Sequence, residues 1–143
     1  MIVLDTNVLS ALMQSQPEAG IVDWLDRQPA ESIWTTTINV FEIRYGLYQL
    51  APGKRRRALE EAFTALLDED LEGRVLAFDT AAADHAARLA GERRRTGRPV
   101  DMRDTQIAGI CEARHAALAT RNTRHFEDLR TPVVNPWNEP GVV

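Results

Sequence analysis

The sequence predicts an α/β domain in which a mostly parallel central sheet of about five strands is wrapped by helices on both faces. Short apolar or β-branched runs occur at 2–4, 32–37, 74–78, 116–120 and 131–137. Between them lie stretches with apolar residues at helical spacing. Strands that alternate with helices or helix pairs run in parallel, because each helical crossover returns the chain to begin the next strand in the same direction.

Each element follows from local chemistry. Ile2-Val3-Leu4 is an unbroken apolar run, the pattern of a buried strand. Asn7 can cap a helix over 8–14, and a second helix after "QPEAG" carries Ile21, Val22, Trp24 and Leu25. "SIWTTT" is β-branched and aromatic, hence a strand. Its last Thr can cap a helix over 38–50, where Ile38, Phe41, Tyr45 and Tyr48 recur at helical spacing until Pro52-Gly53 ends it. A long helix over about 54–70 carries Leu59, Phe63, Leu66 and Leu67. Gly73 leads into a strand at 74–78, and Asp79 or Thr80 caps an Ala-rich helix that reaches about Arg95. "TGRP" turns the chain into a helix that starts near 101–103 and carries Ile107, Ile110 and Cys111. "AALAT" is a strand, "NTRHFEDL" a polar loop or short helix, and "TPVVNPW" a last edge strand. Trp24, Trp34, Tyr45, Tyr48 and Phe63 are expected to pack the core or a dimer face. No repeat or linker interrupts this order, so one domain is expected over 1–137, with a C-terminal tail over 138–143.

Composition narrows the class. At 143 residues, 44% hydrophobic and 27% charged, the chain suits a single soluble core. No apolar run approaches the ~20 residues of a membrane helix, and the start lacks the features of a secretory signal. A cytoplasmic protein without membrane attachment is expected. The single cysteine, Cys111, excludes an intrachain disulfide and a cysteine-based metal cluster, and its setting suggests a small buried hydrophobe. The net charge of −4 argues against sequence-blind coating of nucleic acid. Yet 16 of the 17 basic residues are arginine, the side chain whose planar fork matches phosphate. They cluster at 55–57, 93–98, 103, 121 and 124.

The acids carry the chemistry. In an open parallel sheet, ligands bind outside the carboxyl ends of the strands. Asp5 ends the first strand, Glu42 lies about one turn into the helix after the second, Asp104 begins the helix before "AALAT", and Asn122 follows that strand. One rim of the sheet receives all four. Each residue has an ordinary use: Asp5 or Asn7 as a helix cap, Glu42 as an exposed partner of Arg44, Asp101 and Asp104 as first-turn acids favoured by the helix dipole. Together they imply more. Two carboxylates ~5–6 Å apart at an effective dielectric of ~20 repel by about 3 kcal/mol, and three by about 9 kcal/mol. Either protons bind or a cation sits among them, and a hard ion such as Mg²⁺ suits an all-oxygen site. No Gly-rich phosphate loop and no H-E-x-x-H is present.

"IVLDTNVLS", "TTTINVFEIRYGL", "DMRDTQIAGI", "LATRNTRHFE" and "VVNPW", in this order, resemble the PIN-domain ribonucleases, and among them the VapC/FitB-type toxins of bacterial toxin–antitoxin modules. The resemblance spans Ile2 to Trp137. It implies a PIN-like fold and a Mg²⁺- or Mn²⁺-dependent endoribonuclease acting on single-stranded RNA. By carry-over, Asp5 and Asp104 are the principal metal ligands, and Glu42 completes the set as a ligand or as base for the attacking water. A fourth acid, common in the family, is replaced: Asn122 stands at the aligned site, His125 at another place where acids occur, and Asp128 is the nearest carboxylate. Thr120 and Arg121 are expected to contact phosphate or position that loop. The resemblance also implies a homodimer and a small VapB/FitA-like antitoxin whose tail covers the active-site groove. Promoter DNA is then bound only through the antitoxin. The missing fourth acid leaves one alternative of another class, a weakened module that binds RNA or a partner protein without cleavage.

Overall fold

The structure is a computed structural model that describes residues 1–99 and 101–138. Five strands form one all-parallel sheet in the order β3-β2-β1-β4-β5. They are β1 (Ile2–Leu4), β2 (Ile33–Thr36), β3 (Val75–Leu76), β4 (Ala117–Ala119) and β5 (Val133–Val134). Among the described residues, six α-helices connect them: α1 (Thr6–Leu12), α2 (Ala19–Asp26), α3 (Thr37–Tyr48), α4 (Lys54–Ala65), α5 (Thr80–Arg95) and α6 (Met102–Arg114). Among the described residues, no helix is long and apolar enough to cross a membrane.

Strand alternation divides the core in two. Leu4, Ile33 and Ala119 point to one face, where Val8, Trp24, Leu47 and the fully buried Phe63 from α1–α4 meet them. Val3 and Leu118 point to the other, against Leu89 of α5 and Ile107, Ile110 and Cys111 of α6. Burial of the central strands β1, β2 and β4 on both faces is what the unbroken apolar runs predict, while the edge strands β3 and β5 are partly exposed.

Several details differ from the sequence reading. Of the two caps the sequence offers for α1, Asp5 is the one used, and Thr36, rather than Thr37, caps α3. The strand expected over 74–78 keeps only Val75–Leu76 in the ladder. Arg74 turns its guanidinium onto the carbonyls of Ile33 and Ala30, and the Phe78 N–H donates to Thr37 Oγ1. The helix expected over 54–70 is α-helical to Ala65, then widens into a π turn over Leu66–Asp70. In α3 the helical period is right but the apolar face is reversed. Asn39, Ile43 and Leu47 are buried, whereas Phe41, Tyr45 and Tyr48 are 55%, 53% and 72% exposed. Trp24 and Phe63 pack the core as expected, and Trp34 is half-buried. Most of the expected tail lies outside the described residues; Asn138 alone of it is described.

The α5–α6 pair depends on Gly109. A Cβ there would stand 2.5 Å from the Ala82 carbonyl oxygen and 2.7 Å from the Ala86 Cβ. The axes can approach this closely only where no side chain intervenes, and α6 carries Asp104 into the rim. Gly109→Val is therefore expected to lower stability by about 1–3 kcal/mol, as overpacking does. Urea unfolding measures it, and an unchanged midpoint would show that the two helices have room to separate.

Candidate active site

From β1 the chain steps outward to β2 and β3, then returns across β1 to β4 and β5. That reversal leaves a crevice outside the ends of β1 and β4. Asp5 follows β1 and Thr120 follows β4, so both stand at its mouth. The Asp5 N–H donates to the Ala119 carbonyl at 2.9 Å, which fixes the two strand ends together.

Asp5 is 4% exposed and its carboxylate is surrounded by neutral donors. Oδ1 accepts from the Thr6 N–H at 2.8 Å and from Asn39 Nδ2 at 3.0 Å. Oδ2 accepts from Thr120 Oγ1 at 2.7 Å, with Asn7 Nδ2 at 3.5 Å. Asn39 is itself held: its Oδ1 accepts from Thr36 Oγ1 at 2.6 Å, and its backbone N–H donates back to that hydroxyl. Asn39 Nδ2 also reaches Thr6 Oγ1 at 3.0 Å, and Thr6 Oγ1 donates to Glu42 Oε1 at 2.9 Å. A chain of hydrogen bonds thus links Asp5 to Glu42 through α1 and α3.

Asp104 enters from the first turn of α6, where its N–H is capped by Asp101 Oδ1 at 3.0 Å. His125 Nδ1 lies 3.0 Å from Asp104 Oδ2, and Arg103 Nη1 lies 3.8 Å from Glu42 Oε2. Burial pushes the Asp5 carboxyl above its ordinary range despite the donors from Thr120, Thr6 and Asn39. Burial also raises Glu42, where the charges of Asp5 and Asp104 add to the effect. Asp104 is raised by burial and then by Asp101 and Asp5. The three acids therefore share one electrostatic neighbourhood, as the rim placement predicts.

The 120–128 segment is arranged differently from a fourth acidic corner. Asn122 is exposed and acts through its backbone: its N–H donates to Thr120 Oγ1 at 3.1 Å and its carbonyl accepts from the His125 N–H at 3.0 Å. Asp128 is gripped by Arg93 at 2.8 and 2.9 Å, which holds its carboxyl below the ordinary range. The Arg121 guanidinium stacks over the Trp137 ring at 4.6 Å, and the Arg121 backbone N–H donates to Asn7 Oδ1. Asn39 and Arg93 were not singled out by the sequence reading. A polar residue inside "INVF" was the available signal for Asn39; Arg93 lay hidden in a basic run.

Residues 2–131 match the PIN domain family. The chain belongs to the PIN-domain family. It is 36% identical over 137 residues to "VapC ribonuclease Y4jK" of Sinorhizobium fredii, which covers 96% of this chain and 98% of that protein. The solved FitAcB of Neisseria gonorrhoeae superposes with a TM-score of 0.83 at 31% identity, over 97% of this chain and 100% of that one. A DNA-bound VapBC from Salmonella typhimurium superposes at 0.75 with 30% identity, over 94% and 96%.

The donor set of this PIN domain is entirely hard oxygen, which suits a divalent cation of the Mg²⁺ type. Among the described residues, no three His, Cys, Asp or Glu side chains close into a metal cage. Asp5 turns its oxygens onto Thr6, Asn39 and Thr120 instead. The arrangement fits an ion held by few carboxylates and completed by water and substrate oxygens, the usual habit of Mg²⁺.

The raised acids set a pH dependence. A carboxyl whose folded pKa exceeds its unfolded value contributes stability that is full below the unfolded value and lost as pH rises through the folded one. The PIN domain should therefore lose stability from these groups as pH rises above the ordinary carboxyl range of about 4. In metal-free buffer at pH 7.5, Asp104→Asn should melt above the parent chain. The gap should close as pH falls towards about 4. Circular-dichroism melts across pH measure this, and a gap independent of pH would exclude mutual repulsion as its cause.

Proposed function

We propose that this PIN-domain protein is a metal-dependent endoribonuclease that hydrolyses single-stranded RNA and acts as the toxin of a toxin–antitoxin module. The observation that carries the reading is that Asp5, Glu42 and Asp104 lie at one rim of the sheet, each raised by burial, with the charge of Asp5 raising both Glu42 and Asp104 further. Membership of a family whose relatives include a VapC ribonuclease supports it.

Asp5 and Asp104, with Glu42, would hold Mg²⁺ or Mn²⁺. When bound, such an ion polarises the scissile phosphate and acidifies water, which is the chemistry phosphodiester hydrolysis needs. Glu42 is held by Thr6 and carries an elevated proton affinity, so it is suited to accept the proton of the attacking water. Arg103, 3.8 Å from Glu42, is placed to meet a substrate phosphate. Asn122 keeps the loop after β4 against Thr120, and its exposed side chain is available to substrate. Because water and not the RNA 2′-hydroxyl attacks, the products carry 5′-phosphate and 3′-hydroxyl ends.

The partner of this reading is a small antitoxin of the VapB/FitA kind, which carries the contact with promoter DNA. A groove of about 210 Å³ lined by Thr6, Glu42, Met13, Leu47, Leu50 and Leu59 joins the acidic rim to an apolar floor, the chemistry an amphipathic antitoxin tail requires. The exposed aromatic face of α3, where Phe41 and Tyr45 stack at 5.8 Å, is the surface we assign to a homodimer. The domain is taken to span 1–137, and its place is the cytoplasm.

Asp5→Asn and Asp104→Asn should each lower cleavage of single-stranded RNA at least about a hundredfold, with the circular-dichroism spectrum of the folded state at room temperature unchanged. Excess chelator should abolish activity, and Mg²⁺ or Mn²⁺ should restore it. Full activity in both variants or in chelator sinks the proposal. RNA bound without turnover under any divalent ion would make the chain a binding module.

A further inference from the structure

Arg93, in the last turn of α5, is 2% exposed. A buried guanidinium is costly unless every donor finds a partner. Here the whole fork is directed at the segments that carry Asp104 and His125. Nε donates to Asp128 Oδ2 at 2.8 Å, and Nη2 to Asp128 Oδ1 at 2.9 Å and to the His125 carbonyl at 2.8 Å. Nη1 donates to Thr105 Oγ1 at 2.9 Å, and that hydroxyl passes its own proton to the Asp101 carbonyl at 2.7 Å. One side chain thus ties the end of α5 to the first turn of α6 and to the 123–128 turn. Arg56–Glu60 is an i,i+4 pair within one helix, whereas Arg88 pairs with Glu92 on α5 and with Glu112 towards the far end of α6, away from Asp104.

Asp104 immediately precedes Thr105, and its carboxylate lies 3.0 Å from His125 Nδ1. Arg93 therefore reaches Asp104 by two routes, through the backbone of α6 and through the turn that presents the imidazole. The same contacts fix one wall of a cleft of about 510 Å³ lined by Asp104, His125, Arg98 and Arg124. We propose that Arg93 is a positioning residue for Asp104, holding the first turn of α6 and the His125 turn at a fixed separation in the acidic site. Its kinetic consequence rests on the endoribonuclease reading; its structural consequence does not.

The chain has three histidines, so imidazole ¹H–¹⁵N spectra of the full protein at one pH can be followed residue by residue. Arg93→Met and Asp128→Asn should each move the His125 ring signals and leave those of His115 in place. Arg88→Met, which removes a partner of the Glu112 carboxylate beside His85, should move His85 and leave His125. In cleavage assays, Arg93→Met should lower kcat about tenfold with KM within about twofold, the pattern of lost transition-state alignment. Combined with His125→Ala, the loss should be no greater than that of the slower single variant, because both act on Asp104. Should Arg93→Met fail to fold, Thr105→Val and Asp128→Asn carry the test, since both keep the guanidinium. Unmoved His125 signals in these variants, or fully additive losses of activity, overturn the proposal. A parent chain that cleaves no RNA refutes the endoribonuclease reading, while the His125 signals still decide the clamp.

Discussion

A carboxylate buried at the switch point of a parallel sheet is the constraint from which the rest of this molecule can be derived. Asp5 has almost no contact with solvent, so its oxygens must find donors within the protein. Those donors come from the backbone at the start of α1, from Asn39 in the first turn of α3 and from Thr120 at the end of β4. Each lies where it does only if β1, β2 and β4 are adjacent and in register, as Ile2 opposite Ile33 and Leu4 opposite Ala119 require. The hydrogen bonds of one side chain thus couple three strands and two helix starts, and a site that serves chemistry also specifies the topology.

The identity of the donors matters as much as their number. Hydroxyls and amides satisfy a carboxylate without cancelling its charge, so Asp5 remains a source of negative potential. Guanidinium groups at the same distances would have held the acids ionised and neutral as a set, leaving little attraction for a cation. The positive groups are set further out: the His125 ring pairs with Asp104, Arg103 stands at 3.8 Å from Glu42, and Arg93 meets Asp128 instead of the acid trio. The repulsion among Asp5, Glu42 and Asp104 costs stability in the free protein and, on the proposed reading, is relieved when a divalent ion binds.

What the sequence made legible follows from this arrangement. The apolar runs gave the sheet, because strands buried on both faces leave little freedom of composition, and the order of elements placed Asp5, Glu42 and Asp104 on one rim. What stayed hidden depended on direction rather than period. The spacing of Phe41, Tyr45 and Tyr48 is helical in either orientation, and only the packing of Ile43 and Leu47 against Phe63 decides that the aromatic stripe faces outward. Asn39 counted as polar noise in an apolar stretch until β1 brought Asp5 beside it. The loop after β4 could not be registered, since Asn122, His125 and Asp128 are all plausible occupants of a corner on composition alone. Geometry separates them: a backbone support, a partner of Asp104 and an anchor for Arg93.

The arginine excess can be reinterpreted in the same way. Read from composition, it suggests phosphate binding, yet several of these forks are used inside the protein. Arg74 donates to three carbonyls at the edge of the sheet, Arg93 joins α5 to α6, and Arg98 donates to the Arg124 carbonyl and faces Glu127. Planar, multiply donating side chains are well suited to closing the ends of short strands and helices, where carbonyls lack ladder partners. An acidic chain can therefore be rich in arginine without being a general polyanion binder. On the proposed reading, attraction for RNA comes from cations at the rim such as Arg103 and Arg124, set beside acids that repel phosphate until a divalent ion intervenes. Such a site would hold RNA weakly in the absence of metal and productively in its presence, so that binding and chemistry depend on the same ion.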